Sequence, residues 1–342
     1  MYYQLFIEDF SALGTKLKDL LAKSELESCM QRAYYNNRLF TIDMQMLAIN
    51  NIIKEFLNKE QLEDWLSPYI DRLVQRETSV AIIMAGNIPL VGFHDLLSVL
   101  ASGYKAVVKL SGKDSVLIPT IYEELFRISP FWRDRVVFTE SIDNEVLNSC
   151  KKIIATGSDS TINMFSRYFK DKELILRGNR SSIGLIKGGE SKMELDLLAN
   201  DVFSYFGLGC RNITTLLIPN DFDVNELIES FSRYRDVLIQ SPEWMGSYIQ
   251  RKALMKMQNL EYIDGGFYIM ASFSTIPPPF GCINTVRYSS KRELDTFFHS
   301  NSNKIQAVGV AAGSRGGVPF GELQEPALED YADGVNTLDF LL

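Results

Sequence analysis

The chain has 342 residues, 46% hydrophobic and 23% charged, the balance of a folded protein with about two cores and no need of disulfides or metals. A net charge of −8 without a basic run argues against a general nucleic-acid binder. The longest uncharged stretch, Gly265 to Val286, holds three consecutive prolines and reads as no membrane span, and no leader pattern of basic, apolar and small residues opens the chain.

Residues 1 to 75 read as helical. Apolar residues recur at helical spacing in Phe6–Leu21 and Thr41–Phe56, and Lys59–Val74 has the pattern of a third amphipathic helix. The texture changes at Thr78. Ser79–Met84 is a buried strand ending in Ala85-Gly86-Asn87, and Pro89–Leu100 reads as a helix. Strand Ala106–Leu110, helix Ser115–Phe126, strand Arg135–Phe138, helix Asn144–Cys150, strand Lys152–Thr156, helix Ser160–Tyr168 and strand Leu174–Leu176 follow. This alternation predicts parallel βαβ units in a doubly wound α/β layer, whose strand ends commonly carry a nucleotide. A second α/β region starts near Arg177. Its strands are Ser182–Ile186, Ile213–Ile218, Cys282–Tyr288 and Gln306–Ala311. Its helices are Met193–Phe206, Asp223–Tyr234, Pro242–Met257 and Lys291–His299. The tail from Val318 to Leu342 ends apolar and is expected to dock.

Cys210 lies in Phe206-Gly207-Leu208-Gly209-Cys210-Arg211-Asn212, where a helix gives way to a glycine turn before a strand. A thiol there can face a cleft, with Arg211 favouring its thiolate. Equally it can be a small buried hydrophobe. Cys29, Cys150 and Cys282 lack such a turn and read as structural. With no paired spacing, the cysteines read as reduced thiols of a cytoplasmic protein. Asn87, after a buried strand, either donates to a developing oxyanion or bonds its own turn. Gly157 and Ser158 join a strand to a helix whose first N–H groups can hold a phosphate, although capping by Ser158 or Asp159 explains the same residues. Lys109 ends a strand and either meets a ribose or phosphate or is solvated. His94, on the apolar face of its helix, reads as a core or pocket-wall histidine. Two histidines without a visible Ser or Asp partner make a hydrolase triad or a His-rich metal site a poor reading.

Singly these signals are weak, but their order is informative. Gly86-Asn87-Ile88-Pro89, Lys109, Thr156-Gly157-Ser158, Arg177-Gly178-Asn179-Arg180, Gly207-Leu208-Gly209-Cys210 and Pro319-Phe320-Gly321 together resemble the aldehyde dehydrogenase superfamily read end to end. The gaps of 22 residues from Asn87 to Lys109 and 34 from Leu176 to Cys210 are similar to that family's. Gly86–Lys109 and Phe206–Asn212 most resemble the acyl-CoA reductases of the bacterial bioluminescence (LuxC) type, and the resemblance covers about Thr78 to Phe320. It implies an aldehyde dehydrogenase-like fold of two doubly wound α/β domains. Residues 1–75 would be a helical segment packed on a nicotinamide dinucleotide-binding domain at 76–177. A catalytic domain carrying Cys210 would span 178–318, and 319–342 would be a docking or oligomerisation tail.

The resemblance also implies roles. Cys210 would take the acyl group of a thioester, Asn87 and the Cys210 backbone N–H would hold the oxyanion, and coenzyme A would leave. Gly157 and Ser158 would lie at the cofactor's pyrophosphate, Gly178 in the glycine crossover would also contact the cofactor, Lys109 would lie at its adenosine ribose, and Arg211 would tune Cys210 or meet a phosphate. His94, read from its helix face as a core or pocket-wall residue, is grouped with Arg211 on the substrate side. Hydrolytic relatives carry a water-activating Glu where this chain has Leu176, so an acylating enzyme is expected. Ser274–Pro279 lacks the acid that holds the nicotinamide ribose in many relatives. Gly112 and Lys113 stand where NAD-preferring relatives often have an acid, which favours NADPH over NADH. The expected product is an aldehyde from a fatty acyl-CoA or other acyl thioester. Rival readings are an acyl phosphate reductase and an acyl-carrier or scaffold subunit without turnover. The resemblance leaves room for an acyl-transferring partner protein and for a homodimer built through an apolar strand at Thr337–Leu342.

Overall fold

The computed structural model describes residues 2–142 and 145–342. The chain divides into two compact units, one of Met1–Gly178 with Pro326–Leu342 and one of Asn179–Glu325. The first unit opens with helices α1 (Tyr2–Ala22), α2 (Glu27–Asn36), α3 (Ile42–Asn51) and α4 (Lys59–Leu66). It continues with β1 (Ser79–Ile83), α5 (Phe93–Ala101), β2 (Lys105–Lys109), α6 (Leu117–Ile128), β3 (Val136–Thr139), α7 (Glu145–Ser149), β4 (Lys152–Thr156), α8 (Asp159–Tyr168) and β5 (Glu173–Arg177). The helix expected from Asn144 starts outside the described residues; α7 is its described part. The five strands form a parallel sheet in the order β3-β2-β1-β4-β5. Their centres are near-continuous apolar runs because such a sheet is covered on both faces. The N-terminal helices belong to this covering: Phe6 and Phe10 pack on Trp132, whose indole N–H donates to Asp9 at 2.7 Å.

The second unit contains β6 (Ser181–Leu185), α9 (Lys192–Phe203), β7 (Ile213–Pro219), α10 (Asn225–Phe231), α11 (Arg235–Leu238) and α12 (Pro242–Met257). Then come β8 (Ile263–Asp264), β9 (Ile269–Ala271), β10 (Cys282–Tyr288), α13 (Lys291–Asn301), β11 (Ile305–Val310) and β12 (Val318–Pro319). Its sheet runs β12-β11-β6-β7-β10-β9-β8, parallel except for the β8–β9 pair. Side chains set the helix starts: Ser191 and Glu194 form a capping box on α9, and Ser241 caps α12 ahead of Pro242.

The structure corrects three local expectations. The helix expected from Pro89 begins only at Phe93, because Leu90 has a positive φ of 60° and the chain must turn before it can coil. The helix expected through Phe206 stops at Phe203, because Tyr205, Phe206 and Gly207 are all left-handed, at φ 51°, 55° and 67°. The Thr337–Leu342 end supplies no strand: α14 (Thr337–Leu341) is a helix that buries Thr337, Leu338 and Leu341. It is anchored in the first unit. Arg177, ion-paired with Asp95 in an almost dry setting, donates to Thr337 Oγ1 at 2.8 Å, and Lys152 donates to the Phe340 carbonyl at 2.7 Å.

Candidate functional site

In the first unit the site begins with strand ends. Ile83 pairs with Lys109 on one side and Ala155 on the other, and Thr156 pairs with Arg177. The chain adds β2 and β3 on one side of β1, then β4 and β5 on the other. The carboxyl edge at that reversal is where doubly wound sheets bind ligands. The sheet thereby brings Asn87, Lys109, Gly157, Ser158 and Gly178 to one edge. Asn87 and Ser158 are exposed there, and Lys109, Gly157 and Gly178 are half-buried. Ser158 does cap α8, accepting the Thr161 N–H at 3.3 Å. A Cβ on Gly178 would stand 2.7 Å from Asp159 Oδ1, and one on Gly157 3.1 Å from the Thr161 methyl, so glycine keeps the β4 and β5 ends bare.

Lys113 is exposed beside Gly112, in the loop after β2. The first carboxylate downstream of Lys109, Asp114, turns inward and is 4% exposed. Its Oδ2 accepts the Leu90 N–H at 2.8 Å and so holds the turn that follows Asn87. Burial pushes its carboxyl up to about 6, against the lowering effect of the Leu90 and Leu117 amides. Sequence reading passed over Asp114, since nothing in Gly112-Lys113-Asp114-Ser115 says which acid is buried. His94 is not at this edge. Its Nε2 lies 2.8 Å from the Leu328 carbonyl, and its ring packs on Phe56, Trp65 and Tyr331.

In the second unit Cys210 sits on the loop joining α9 to β7. It is half-buried, whereas Cys29, Cys150 and Cys282 are buried. Burial pushes the Cys150 and Cys282 thiols up to about 11, which holds them protonated at neutral pH. The Cys210 loop is braced by a residue the sequence reading named only as a neighbour. Asn212 is fully buried. Its Oδ1 accepts the Gly209 N–H at 2.8 Å, and its Nδ2 donates to the carbonyls of Asp201 and Ser204 at 2.9 and 2.8 Å. Ser182 at the start of β6 donates to the Cys210 carbonyl at 3.1 Å, and Gln324 donates to the Arg211 carbonyl at 3.2 Å. Left-handed Tyr205 and Phe206 are strained conformations, costing about 1–3 kcal/mol each, and persist where surrounding contacts over-determine them.

Residues 8–239 match the family model for acyl-CoA reductase (LuxC). The chain belongs to this family. It is therefore an oxidoreductase acting on the acyl and aldehyde couple. Solved structures agree on the fold. A Mycobacterium tuberculosis aldehyde dehydrogenase complexed with NAD+ matches with a TM-score of 0.62 at 13% identity, covering 90% of this chain and 74% of that one. Aldehyde dehydrogenase 21 from Physcomitrella patens, complexed with the reaction product succinate, gives 0.64 at 12%, covering 92% and 73%. The NAD+ complex of a Bacillus cereus aldehyde dehydrogenase gives 0.64 at 14%, covering 92% and 72%. No curated protein matches this chain. Among its described residues no cluster of His, Cys, Asp and Glu could hold a metal ion, and no helix is long and apolar enough to cross a membrane.

Proposed function

We propose that the reductase converts a fatty acyl thioester to an aldehyde with NADPH, through an acyl intermediate on Cys210. The observation that carries this is the contrast among its thiols: three are buried, and Cys210 is half-buried on a loop held by Asn212. The Cys210 thiolate attacks the thioester carbonyl carbon, and the C–S bond to coenzyme A breaks as the carbonyl re-forms. Asn87 donates its side-chain amide to the transient oxyanion, together with the Cys210 backbone N–H. Leu176 packs on the apolar core beneath β4 and β5, so no carboxylate stands there to activate water against the acyl-enzyme. The bare strand ends at Gly157 and Gly178, the α8 N-terminus and Lys109 fit the phosphates and ribose of a nicotinamide dinucleotide. When bound, the nicotinamide supplies the hydride that makes the aldehyde and frees the Cys210 thiolate. Asp114 turns inward and leaves Lys113 exposed, so this loop offers a cation to a 2′-phosphate.

The test is a panel of acyl-CoAs of rising chain length, with acyl phosphates beside them, each with NADPH and with NADH. The expected result is NADPH oxidation that depends on a long-chain acyl-CoA and yields the aldehyde. Oxidation with acyl phosphates alone, or none with any thioester, would overturn the reading.

A further inference from the structure

Asp201 on α9 is fully buried, nine residues before Cys210 in the chain, and no step above uses it. Its Oδ2 accepts the Gly321 N–H at 2.6 Å, and the Leu323 amide favours its charged form. Its backbone carbonyl accepts from Asn212, the residue that holds Gly209. The Gly321 segment is itself seated: Phe320 and Leu323 are buried, and the Phe320 N–H donates to the Val310 carbonyl at 2.8 Å. Gln324 from the same segment reaches the Arg211 carbonyl. One residue thus ties two segments, Gly209–Asn212 and Phe320–Gln324, that are bonded on both sides of Cys210.

We propose that Asp201 is a positioning residue for Cys210: its carboxylate seats the Gly321 segment while its carbonyl seats Asn212. The proposal rests on the reading of Cys210 as the acylated thiol. The carboxylate form is the better acceptor for the Gly321 amide, since hydrogen bonds to an ionised acceptor are about twice as strong as neutral ones. The charged and titratable groups facing it are Glu322, on the docked segment, and the Tyr234 phenol, on the turn after α10. Burial, with Glu322 adding to it, pushes the Asp201 carboxyl up to about 7, and among the described residues its Oδ1 has no hydrogen-bond partner. The seat therefore changes protonation across the neutral range. Asp201→Asn keeps an oxygen for the Gly321 amide and removes the charge.

The experiment follows Cys210 in the full-length protein by two readouts between pH 5.5 and 9. One is alkylation by iodoacetamide, read on the peptide that contains Cys210. The other is acylation by an acyl-CoA without nicotinamide. In the wild-type protein both rates should rise through an ionisation near pH 7 as well as that of the thiol. In Asp201→Asn the step near pH 7 should vanish, and acylation should be about tenfold to a hundredfold slower, with the half-saturating acyl-CoA concentration unchanged. A wild-type profile with the thiol's ionisation alone, which needs no variant, would overturn the proposal. So would an Asp201→Asn profile identical to the wild type. Cys210→Ala separates the two ideas. If acylation persists in it, the reading of Cys210 fails; if Cys210 is acylated and Asp201→Asn behaves as wild type, only the role of Asp201 fails.

Discussion

Replacing Asn212 with alanine tests how the Cys210 loop is held. The variant strands three buried backbone groups: the Gly209 N–H and the carbonyls of Asp201 and Ser204. Each such group costs about 1–3 kcal/mol when it loses its partner, so the gross loss is about 5 kcal/mol. Relaxation of left-handed Tyr205 and Phe206 offsets part of it, about 2 kcal/mol. The net expectation is a loss of about 3 kcal/mol of stability. Chemical denaturation measures it, and alkylation of the Cys210 peptide under native conditions reports the loop itself. Asn212→Asp is the comparator: it keeps the acceptor for Gly209, loses both donated bonds and places a charge at a fully buried position. It should be destabilised at least as much. A loss below about 1 kcal/mol for Asn212→Ala, with unchanged Cys210 labelling, would refute the argument that Asn212 sets this loop.

Three further outcomes are expected. Asn87→Ala should lower the acyl-CoA reduction rate by about 10²–10³ without destabilising the fold, since Asn87 is exposed, and a near-normal rate would remove its oxyanion role. Lys113→Glu should shift the cofactor preference toward NADH, measured as the ratio of kcat/KM for the two cofactors; an unchanged ratio would remove Lys113 from that choice. Asp114→Asn should change the pH dependence of stability. The wild-type carboxyl is pushed up to about 6 in the folded state, so its favourable contribution is present below about 4 and is lost as pH rises through 6. The variant should therefore match the wild type near pH 3.5 and exceed it by about 3 kcal/mol at pH 8, and equal melting temperatures at pH 8 would contradict this.

The parallel strands were legible because burial on both faces writes them as apolar runs, as in Val80-Ala81-Ile82-Ile83 and Ile153-Ile154-Ala155. The family was legible too, from the order of the glycine, lysine and cysteine signals along the chain, and the family match agrees with that membership. Other features were hidden for physical reasons. Tyr205 and Phe206 continue the apolar pattern of α9, so nothing in their side chains announces left-handed backbone. Polar Glu27–Asn36 shows little apolar periodicity, yet it forms α2 by burying Cys29, Met30 and Ala33. The short β8 and β9 exist only through their pairing with each other and with β10. Asp114, Asp201 and Asn212 are ordinary polar letters in a sequence. Their importance comes from burial and from which amides face them, and both are properties of the folded chain.

In the proposed reaction Cys210 carries the acyl group. Mixing the protein with a long-chain acyl-CoA in the absence of nicotinamide, then mapping the adduct by mass, tests it most directly. One acyl group on the Cys210 peptide, with an equal amount of free coenzyme A released and no adduct in Cys210→Ala, is the predicted result. An adduct on Cys29, Cys150 or Cys282 with Cys210 unmodified, or an undiminished adduct in Cys210→Ala, would contradict it.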